Sequence, residues 1–377
     1  MDILLTLSIS VGQLLKFSLG GRGGITILDL TVIILCFWGL FVSKFRFKKP
    51  SSWILAGLIF TLCGLASLII TPLQLLPSEY FISLTYLIRF SVYILLAWLM
   101  YSGTLQKLKK NISNIFFRSG FILAILGLLQ LIFLPNLIFL EKYGWDPHYF
   151  RTASTFLDPN FLGAHLTLTL LLMIQYFSTR KHFRIFFAIV FIGLLTTFSR
   201  GAYLAFLSSF LSLSFLNKSI KQFILTIILF STLLVGFNIY QVNIAKPRGI
   251  DRGESAQSRQ NSWEQGWQIF LHSPLLGVGF NSYPFALKQY KLADEKFLEG
   301  HGSTTNDSSL LYILATTGIV GLISYLLFLK SLAKKSRVLK AALVGLLAQS
   351  FFANTFFYPP ILIWIILMGV YEDKTSS

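Results

Sequence analysis

Apolar stretches of membrane-spanning length recur along the whole chain, and lysine and arginine cluster in every second gap between them. A transmembrane helix needs about 20 mainly apolar residues, and short loops rich in Lys and Arg stay on the cytoplasmic side of a membrane. The alternation therefore predicts an all-α polytopic integral membrane protein with both termini in the cytoplasm. The basic residues of the clusters are Lys44, Arg46, Lys48, Lys49, Lys107, Lys109, Lys110, Arg180, Lys181, Arg184, Lys218, Lys221, Lys330, Lys334, Lys335, Arg337 and Lys340.

We predict a single membrane domain, residues 1–377, with about twelve transmembrane helices. The longest outer loop, residues 241–307, then lies between spans 9 and 10, and loops of this length are usually functional. The predicted spans are 3–20, 25–43, 53–71, 79–101, 113–135, 159–178, 183–198, 202–216, 220–240, 308–329, 338–353 and 356–371.

The charge of the chain fits the same class of protein. Charged residues make up 12% of the sequence, against about 25% in soluble domains. The net charge of +17 would suggest nucleic-acid binding in a soluble protein, but the basic clusters account for it as topology determinants beside anionic lipid. We therefore expect the basic residues to interact with membrane lipids and not with nucleic acid.

The long outer loop contains a pattern typical of an amphipathic helix. Trp263, Trp267 and Phe270 recur at i, i+4 and i+7, which places them on one helical face. We predict a helix over 258–271 at the outer membrane interface, with its Trp rings at headgroup level. Pro274 should end this helix, and a tight apolar turn should follow over 274–281.

Three arginines on the predicted outer side oppose the usual charge bias of membrane proteins. These are Arg151, Arg200 and Arg259. A guanidinium binds phosphate bidentately and stays protonated, so the three together suggest a cradle for a polyanion. Contact of each long side chain with lipid headgroups is the alternative.

Arg89 lies about ten residues into its predicted span. An arginine inside a membrane is energetically expensive and marks a functional site or an ion pair. Both interpretations stay open: Arg89 contacts a substrate, or it pairs with a carboxylate or a carbonyl inside the bundle.

Asp307 stands at the outer mouth of a predicted span. A carboxylate there can act as a general base or orient a substrate hydroxyl. It can equally be the N-cap of the helix, where Asp is favoured. The sequence has no HExxH, P-loop, GxSxG or Cys/His cluster, so we expect no metal and no cofactor.

Several segments of the chain resemble the O-antigen ligase and O-antigen polymerase superfamily of bacterial cell-surface polysaccharide assembly. Each segment is short, but their order and the long loop among them are typical of the superfamily. They are Arg-Thr-Ala-Ser-Thr-Phe-Leu-Asp-Pro-Asn at 151–160, Thr-Phe-Ser-Arg-Gly-Ala-Tyr at 197–203, Ser258-Arg259 with Trp263 and Gly266, Pro-Leu-Leu-Gly-Val-Gly-Phe-Asn-Ser-Tyr at 274–283, and Leu311 followed by Gly-Ile-Val-Gly at 318–321.

The resemblance implies a metal-independent membrane glycosyltransferase of the GT-C type in the bacterial inner membrane. Such an enzyme takes a glycan from an undecaprenyl-pyrophosphate carrier at the outer face and transfers it to a hydroxyl, and a chain-length regulator is an expected partner. On this resemblance the catalytic candidates are Asp307, Arg200 and Arg259. The substrate-binding candidates are Arg151, Arg89, Asn160, His301 and Trp263.

Ligases of this superfamily carry a His-Asn pair just before the span that leads into Gly-Ile-Val-Gly. Asp307-Ser308 occupies that place here, and His301 lies six residues earlier. The departure favours a polymerase, which joins repeat units of O-antigen or of another surface polysaccharide. Such an enzyme acts in the cell envelope, in lipopolysaccharide biosynthesis. The alternatives are a ligase that moves finished glycan to a lipid A-core or protein acceptor, and a transporter or flippase of an anionic lipid or solute, which Arg89 supports.

Overall fold

The computed structural model describes residues 1–18, 24–248 and 252–373, with the backbone alone at 252–256, 296, 299 and 301. These residues form fifteen α-helices and one two-stranded antiparallel hairpin. In chain order the elements are α1 Asp2–Val11, β1 Lys16–Ser18, β2 Gly24–Thr26, α2 Ile27–Ser43, α3 Ser52–Ile69, α4 Pro77–Tyr101, α5 Gln106–Phe133, α6 Pro159–Tyr176, α7 Phe183–Thr196, α8 Arg200–Asn217, α9 Ile220–Tyr240, α10 Arg252–His272, α11 Tyr283–Gln289, α12 Glu295–Glu299, α13 Ser309–Ala333, α14 Arg337–Gln349 and α15 Pro359–Glu372.

The helices are those of a multi-pass membrane protein. In the described part of the chain, α3, α4, α5, α9 and α13 are long and apolar enough to cross a membrane, and α1, α2, α7 and α15 are shorter apolar helices. Large apolar side chains cover the outside of the bundle: Phe37, Phe41 and Phe133 are each at least 70% exposed. Such a surface suits lipid as the solvent. Each predicted span overlaps an α-helix, while the number of helices that cross the membrane stays a prediction.

The prediction of one helical span over 3–20 is wrong. Helix α1 ends at Val11, and Gly12 follows with φ 58°, a backbone conformation that glycine adopts without strain. The backbone N–H of Gln13 then donates to the carbonyl of Thr155 at 2.9 Å, and the chain enters the β1–β2 hairpin. Residues 19–23, including the end of the predicted span, lie outside the described residues.

Helix α15 forms the centre of the bundle. Every residue from Pro359 to Val370 is buried, and a helix that is apolar on all sides belongs in a core. It packs against α2, α4, α5, α6 and α14. In contrast, α9 lies at the periphery, where it contacts α7 and α8 and leaves most of its apolar surface exposed.

Helix α13 is broken at Gly318, and the loop after α10 fills the break. Gly318 has φ 63° and ψ −168°, and a Cβ at this position would lie 2.2 Å from the carbonyl oxygen of Leu275. The backbone N–H groups of Val278 and Gly279 donate to the carbonyls of Ala315 and Thr316 at 3.1 and 3.0 Å. The loop thus bonds the carbonyls that the broken helix leaves open, as irregular backbone within a membrane protein requires.

Helix α10 begins at Arg252, six residues before the predicted start, and ends at His272 as Pro274 implies. Among residues 257–272 its buried positions are Ser262, Gly266 and Ile269, and α10 packs against α13. The face with the tryptophans is more open, and Trp267 is 50% exposed. The helix is therefore anchored to the bundle through small residues as well as through its aromatic face.

Candidate functional site

A cavity of about 740 Å³ opens at one end of the helix bundle. Four helices begin at its wall, since Thr26, Asp158, Ser199 and Tyr358 are the N-caps of α2, α6, α8 and α15 and all line the cavity. The N-terminal end of a helix carries a partial positive charge and unpaired N–H groups. Converging helix starts favour an anionic ligand; those of α2 and α6 already hold the carboxylates of Asp29 and Asp158, so α8 and α15 are the starts without a carboxylate cap.

The charged side chains of the cavity wall are mainly cationic. Those in the described residues are Lys16, Arg89, Arg151, Arg200 and Arg259, against the acids Asp146, Asp158 and Asp307. The structure thus brings five predicted arginine and aspartate candidates to one cavity, although they come from α4, from α8, from α10 and from two loops. Their predicted roles are not fixed by this placement alone.

Arg151 is buried against the turn between α7 and α8. Its Nε donates to the carbonyl of Thr197 at 2.9 Å, and Nη2 donates to the carbonyl of Phe198 at 3.5 Å. The guanidinium therefore fixes the turn that leads into Arg200 while it also lines the cavity. This residue connects two of the segments on which the family resemblance rests.

Arg200 is the first residue of α8 and is exposed at the cavity. The Ser199 hydroxyl accepts from the Ala202 N–H at 3.2 Å as the helix cap, and it donates to Oδ1 of Asn160 at 2.6 Å. Gln349 of α14 in turn donates to the carbonyl of Asn160 at 2.9 Å. Asn160, predicted to bind substrate, lines the cavity and ties the start of α6 to the start of α8.

Asp307 reaches the cavity from the residue before the cap of α13. The N-cap is Ser308, whose hydroxyl accepts from the Leu311 N–H at 3.4 Å. The alternative interpretation of Asp307 as the N-cap is therefore wrong. Its backbone N–H donates to the hydroxyl of Ser262 on α10 at 3.0 Å, and the residue lines the cavity.

Asn306 holds this segment in place from the buried side. Its Nδ2 donates to the Ser262 carbonyl and to the Tyr283 hydroxyl, the latter at 2.9 Å, and its Oδ1 accepts from the Ser308 N–H at 2.8 Å. Gly266 leaves room for this amide, because a Cβ there would lie 2.7 Å from Nδ2. The sequence reasoning missed Asn306, although its position beside a candidate base could have drawn attention to it.

The electrostatic surroundings make Asp307 a stronger base than an exposed aspartate. The pKa of Asp307 is raised to about 6, chiefly by burial; the charge of Arg259 opposes this shift, and the charges of Asp146 and Asp158 add to it. Burial and Asp146 also raise the pKa of Asp158, against the opposing effect of its hydrogen bonds from Asn160 and Phe161 and of Arg151. Asp158 is engaged as the cap of α6, so Asp307 is the carboxylate better placed for proton transfer near neutral pH.

Arg89 forms an ion pair, as one of the two interpretations of this residue predicted. Its Nε and Nη2 donate to the two carboxylate oxygens of Asp29 at 2.7 and 2.8 Å, and Nη2 also donates to the Gly24 carbonyl at 2.7 Å. Tyr93 donates to the same carboxylate at 2.8 Å, and the Tyr86 ring lies 4.4 Å from the guanidinium carbon. Arg89 borders the cavity, but Asp29 balances its charge, so substrate binding by Arg89 stays a prediction.

Two further predicted residues are placed differently. Trp263 donates through Nε1 to the Phe351 carbonyl at 3.0 Å and packs against Phe352. It anchors α10 and is not among the described residues that line the cavity. The side chain of His301 lies outside the described part of the chain. The substrate-binding roles of both stay predictions.

The fold and the cavity define a helical, multi-pass membrane protein with a cationic site at converging helix ends. Residues 185–326 match a family model described as O-antigen ligase. This match confirms the resemblance to the O-antigen ligase and polymerase superfamily, and it covers α7 to the first part of α13, including Arg200, Arg259 and Asp307. A comparison with curated proteins gave no match.

Proposed function

We propose that this protein is a membrane polymerase that joins oligosaccharide repeat units carried on undecaprenyl pyrophosphate. The observation that carries the proposal is the single cavity in which Arg200, Arg259 and the base Asp307 meet the N-terminal ends of four helices. A pyrophosphate leaving group needs positive charge, and a hydroxyl nucleophile needs a proton acceptor. The cavity offers both without a side-chain cluster that would hold a metal among the described residues.

We place the cavity on the outer face of the bacterial inner membrane. Helices α2, α6, α8 and α13 begin at or just after cavity residues, and each is followed by, or ends in, a basic cluster. Lys107, Lys109 and Lys110 lie in the first turns of α5, whose C-terminal end leads to the cavity loop at 145–151. Because basic loops remain cytoplasmic, the cavity faces outward and both termini lie inside. This topology keeps the predicted number of about twelve crossings only if the short helix α1 counts as one of them.

The proposed reaction is a single displacement. The oxygen of an acceptor hydroxyl attacks the anomeric carbon of the carrier-linked sugar, the bond from that carbon to the pyrophosphate oxygen breaks, and its electron pair leaves with the pyrophosphate. Asp307 accepts the hydroxyl proton. Arg200 and Arg259 neutralise the negative charge that grows on the leaving group, while Arg151 and Asn160 hold the start of α8 in position.

A ligase remains the second candidate, because the matching family model is described as O-antigen ligase. The polymerase is favoured by Asp307-Ser308 in place of the ligase His-Asn pair. The two reactions differ in the acceptor and share the cavity chemistry. Transport has less support, since Arg89 is paired with Asp29.

The test uses the full chain in liposomes with undecaprenyl-pyrophosphate oligosaccharide, with and without a metal chelator. A polymerase gives a ladder of products that stay attached to the carrier, and the chelator leaves their rate unchanged. A ligase gives product only when a lipid or protein acceptor is added. Transfer by neither route, with substrate and protein intact, would refute the proposal.

The proposed roles of the arginines have a matched control. The double variant Arg200→Ala, Arg259→Ala should lose at least about a thousandfold in rate, since removing a single preorganised donor from a site of developing charge costs 10²–10³. Arg184→Ala removes an exposed arginine at the start of α7, away from the cavity, and should keep full activity. Full activity in the double variant would contradict the proposed pyrophosphate site.

A further inference from the structure

We propose that Lys16 and Trp145 form a second subsite of the cavity, which binds a sugar residue that carries a negative charge. The subsite deepens the proposed function, on which it rests, by naming the class of glycan that the enzyme prefers. Neither residue was a predicted site residue, and both line the cavity. The ammonium nitrogen of Lys16 lies 5.9 Å from the centre of the Trp145 ring.

The hairpin directs the Lys16 side chain toward the cavity. Lys16 pairs with Thr26 across β1 and β2, and its carbon stem lies over Gly24. A Cβ at Gly24 would lie 2.1 Å from Cε of Lys16, so the stem occupies space that the side chain of another residue would take. The Gly24 carbonyl accepts from Arg89, which anchors the hairpin to α4.

Trp145 is presented by a loop that several hydrogen bonds hold at its base. The Leu137 N–H donates to the His148 carbonyl at 2.8 Å, and the Phe150 N–H donates to the Pro135 carbonyl at 2.7 Å. The Tyr240 hydroxyl donates to the Tyr149 carbonyl at 3.0 Å. A half-buried indole on a fixed loop is preorganised for a ligand and needs little ordering on binding.

The two side chains have complementary chemistry. The face of an aromatic ring packs against the apolar face of a sugar ring, and an ammonium group binds a carboxylate or phosphate substituent. Asp146, next in the chain and also at the cavity, can accept hydrogen bonds from sugar hydroxyls. Together these groups fit an acidic sugar better than a neutral one.

The inference is tested by direct binding of two disaccharides to the full-length protein in nanodiscs, measured by saturation-transfer NMR. The probes are cellobiouronic acid and its neutral counterpart, cellobiose. The wild type should bind the acidic probe about tenfold more tightly, as expected for one hydrogen bond to a charged group. Lys16→Met should remove this preference, and Trp145→Ala should weaken both probes at least about tenfold.

The result that would overturn the inference is equal binding of both probes by the wild type, or an acidic preference that survives in Lys16→Met. Lys142→Met, whose side chain lies over Tyr143 outside the cavity, is the matched control and should behave as the wild type. Failure of the proposed function would give a different result: the wild type would transfer no glycan but would still bind the acidic probe. Failure of the subsite would appear as transfer without selective binding.

Discussion

The raised pKa of Asp307 gives the proposed reaction a defined dependence on pH. A base must be deprotonated to accept a proton, so the rate falls as the pH falls through its pKa. With a pKa of about 6, the carboxyl is about 90% deprotonated at pH 7 and about 10% at pH 5. The rate should therefore fall roughly tenfold over this interval. An aspartate with an ordinary pKa would lose less than about a tenth of its rate.

Two neighbours of Asp307 should move this dependence in opposite directions. Arg259 lowers the pKa of Asp307, and Asp146 raises it. Arg259→Gln should therefore shift the midpoint of the pH profile upward, and Asp146→Asn should shift it downward, whatever either substitution does to the maximal rate. The upward shift in Arg259→Gln would assign the titration to Asp307, because the arginine that lowers the pKa of Asp158 is Arg151, whereas Asp146 raises the pKa of both carboxyls.

The assay is the initial rate of carrier-linked chain extension in liposomes between pH 4.5 and 8.5. It is run at saturating and at limiting substrate, because the rate at limiting substrate reports the free enzyme. Asp307→Asn should lose most of the rate and the acidic limb of the profile with it. A midpoint below about pH 4.5, or an acidic limb that persists in Asp307→Asn, would refute the reasoning.

Three further predictions concern residues that hold the site together. Asp29→Ala should lower the free energy of unfolding by about 3–5 kcal/mol, since it leaves the Arg89 charge buried without its partner. In thermal unfolding, the double variant Asp29→Leu, Arg89→Met should lose less stability than the two single variants lose together. Additive losses of stability would contradict the proposed ion pair. Gly318→Ala should destabilise by at least about 2 kcal/mol because of its positive φ and the close Leu275 carbonyl, while Gly302→Ala, with open space around the new methyl group, should be nearly neutral. Asn306→Ala should lower the transfer rate at least about tenfold at a saturating substrate concentration, with substrate binding kept; an unchanged rate would show that the amide does not position Asp307.

The sequence predicted the helical segments well because the bilayer imposes a length and a polarity on apolar helices. Its main error, the span 3–20, arose because hydropathy does not register backbone conformation. Leu14, Leu15 and Phe17 extend the apolar run beyond Val11, yet Gly12 turns the chain toward Thr155. Because of this error Lys16 was not among the predicted site residues, since a continuous span would place it in lipid.

The arginine candidates were predictable because basic residues on the outer side oppose the charge bias of membrane proteins. Asp307 was predictable from its place at the mouth of a span. Their grouping in one cavity was not predictable, since it depends on how distant helices pack. The different contacts of these residues could be assigned only from the structure. Arg151 bonds backbone carbonyls and Arg89 pairs with Asp29, whereas no ion pair joins Arg259 to a described residue.

The segments that carry the family resemblance serve two physical purposes in this fold. Gly277 and Gly318 allow the loop after α10 to enter the broken helix α13. This contact holds α10, which carries Arg259, against α13, which Asp307 precedes. Asn160 and Ser199 join the starts of α6 and α8. The positive ends of helices and the arginines are thereby held in place before a substrate binds. Charge that needs no reorganisation during the reaction stabilises a developing anion most effectively, so these structural contacts contribute directly to the proposed chemistry.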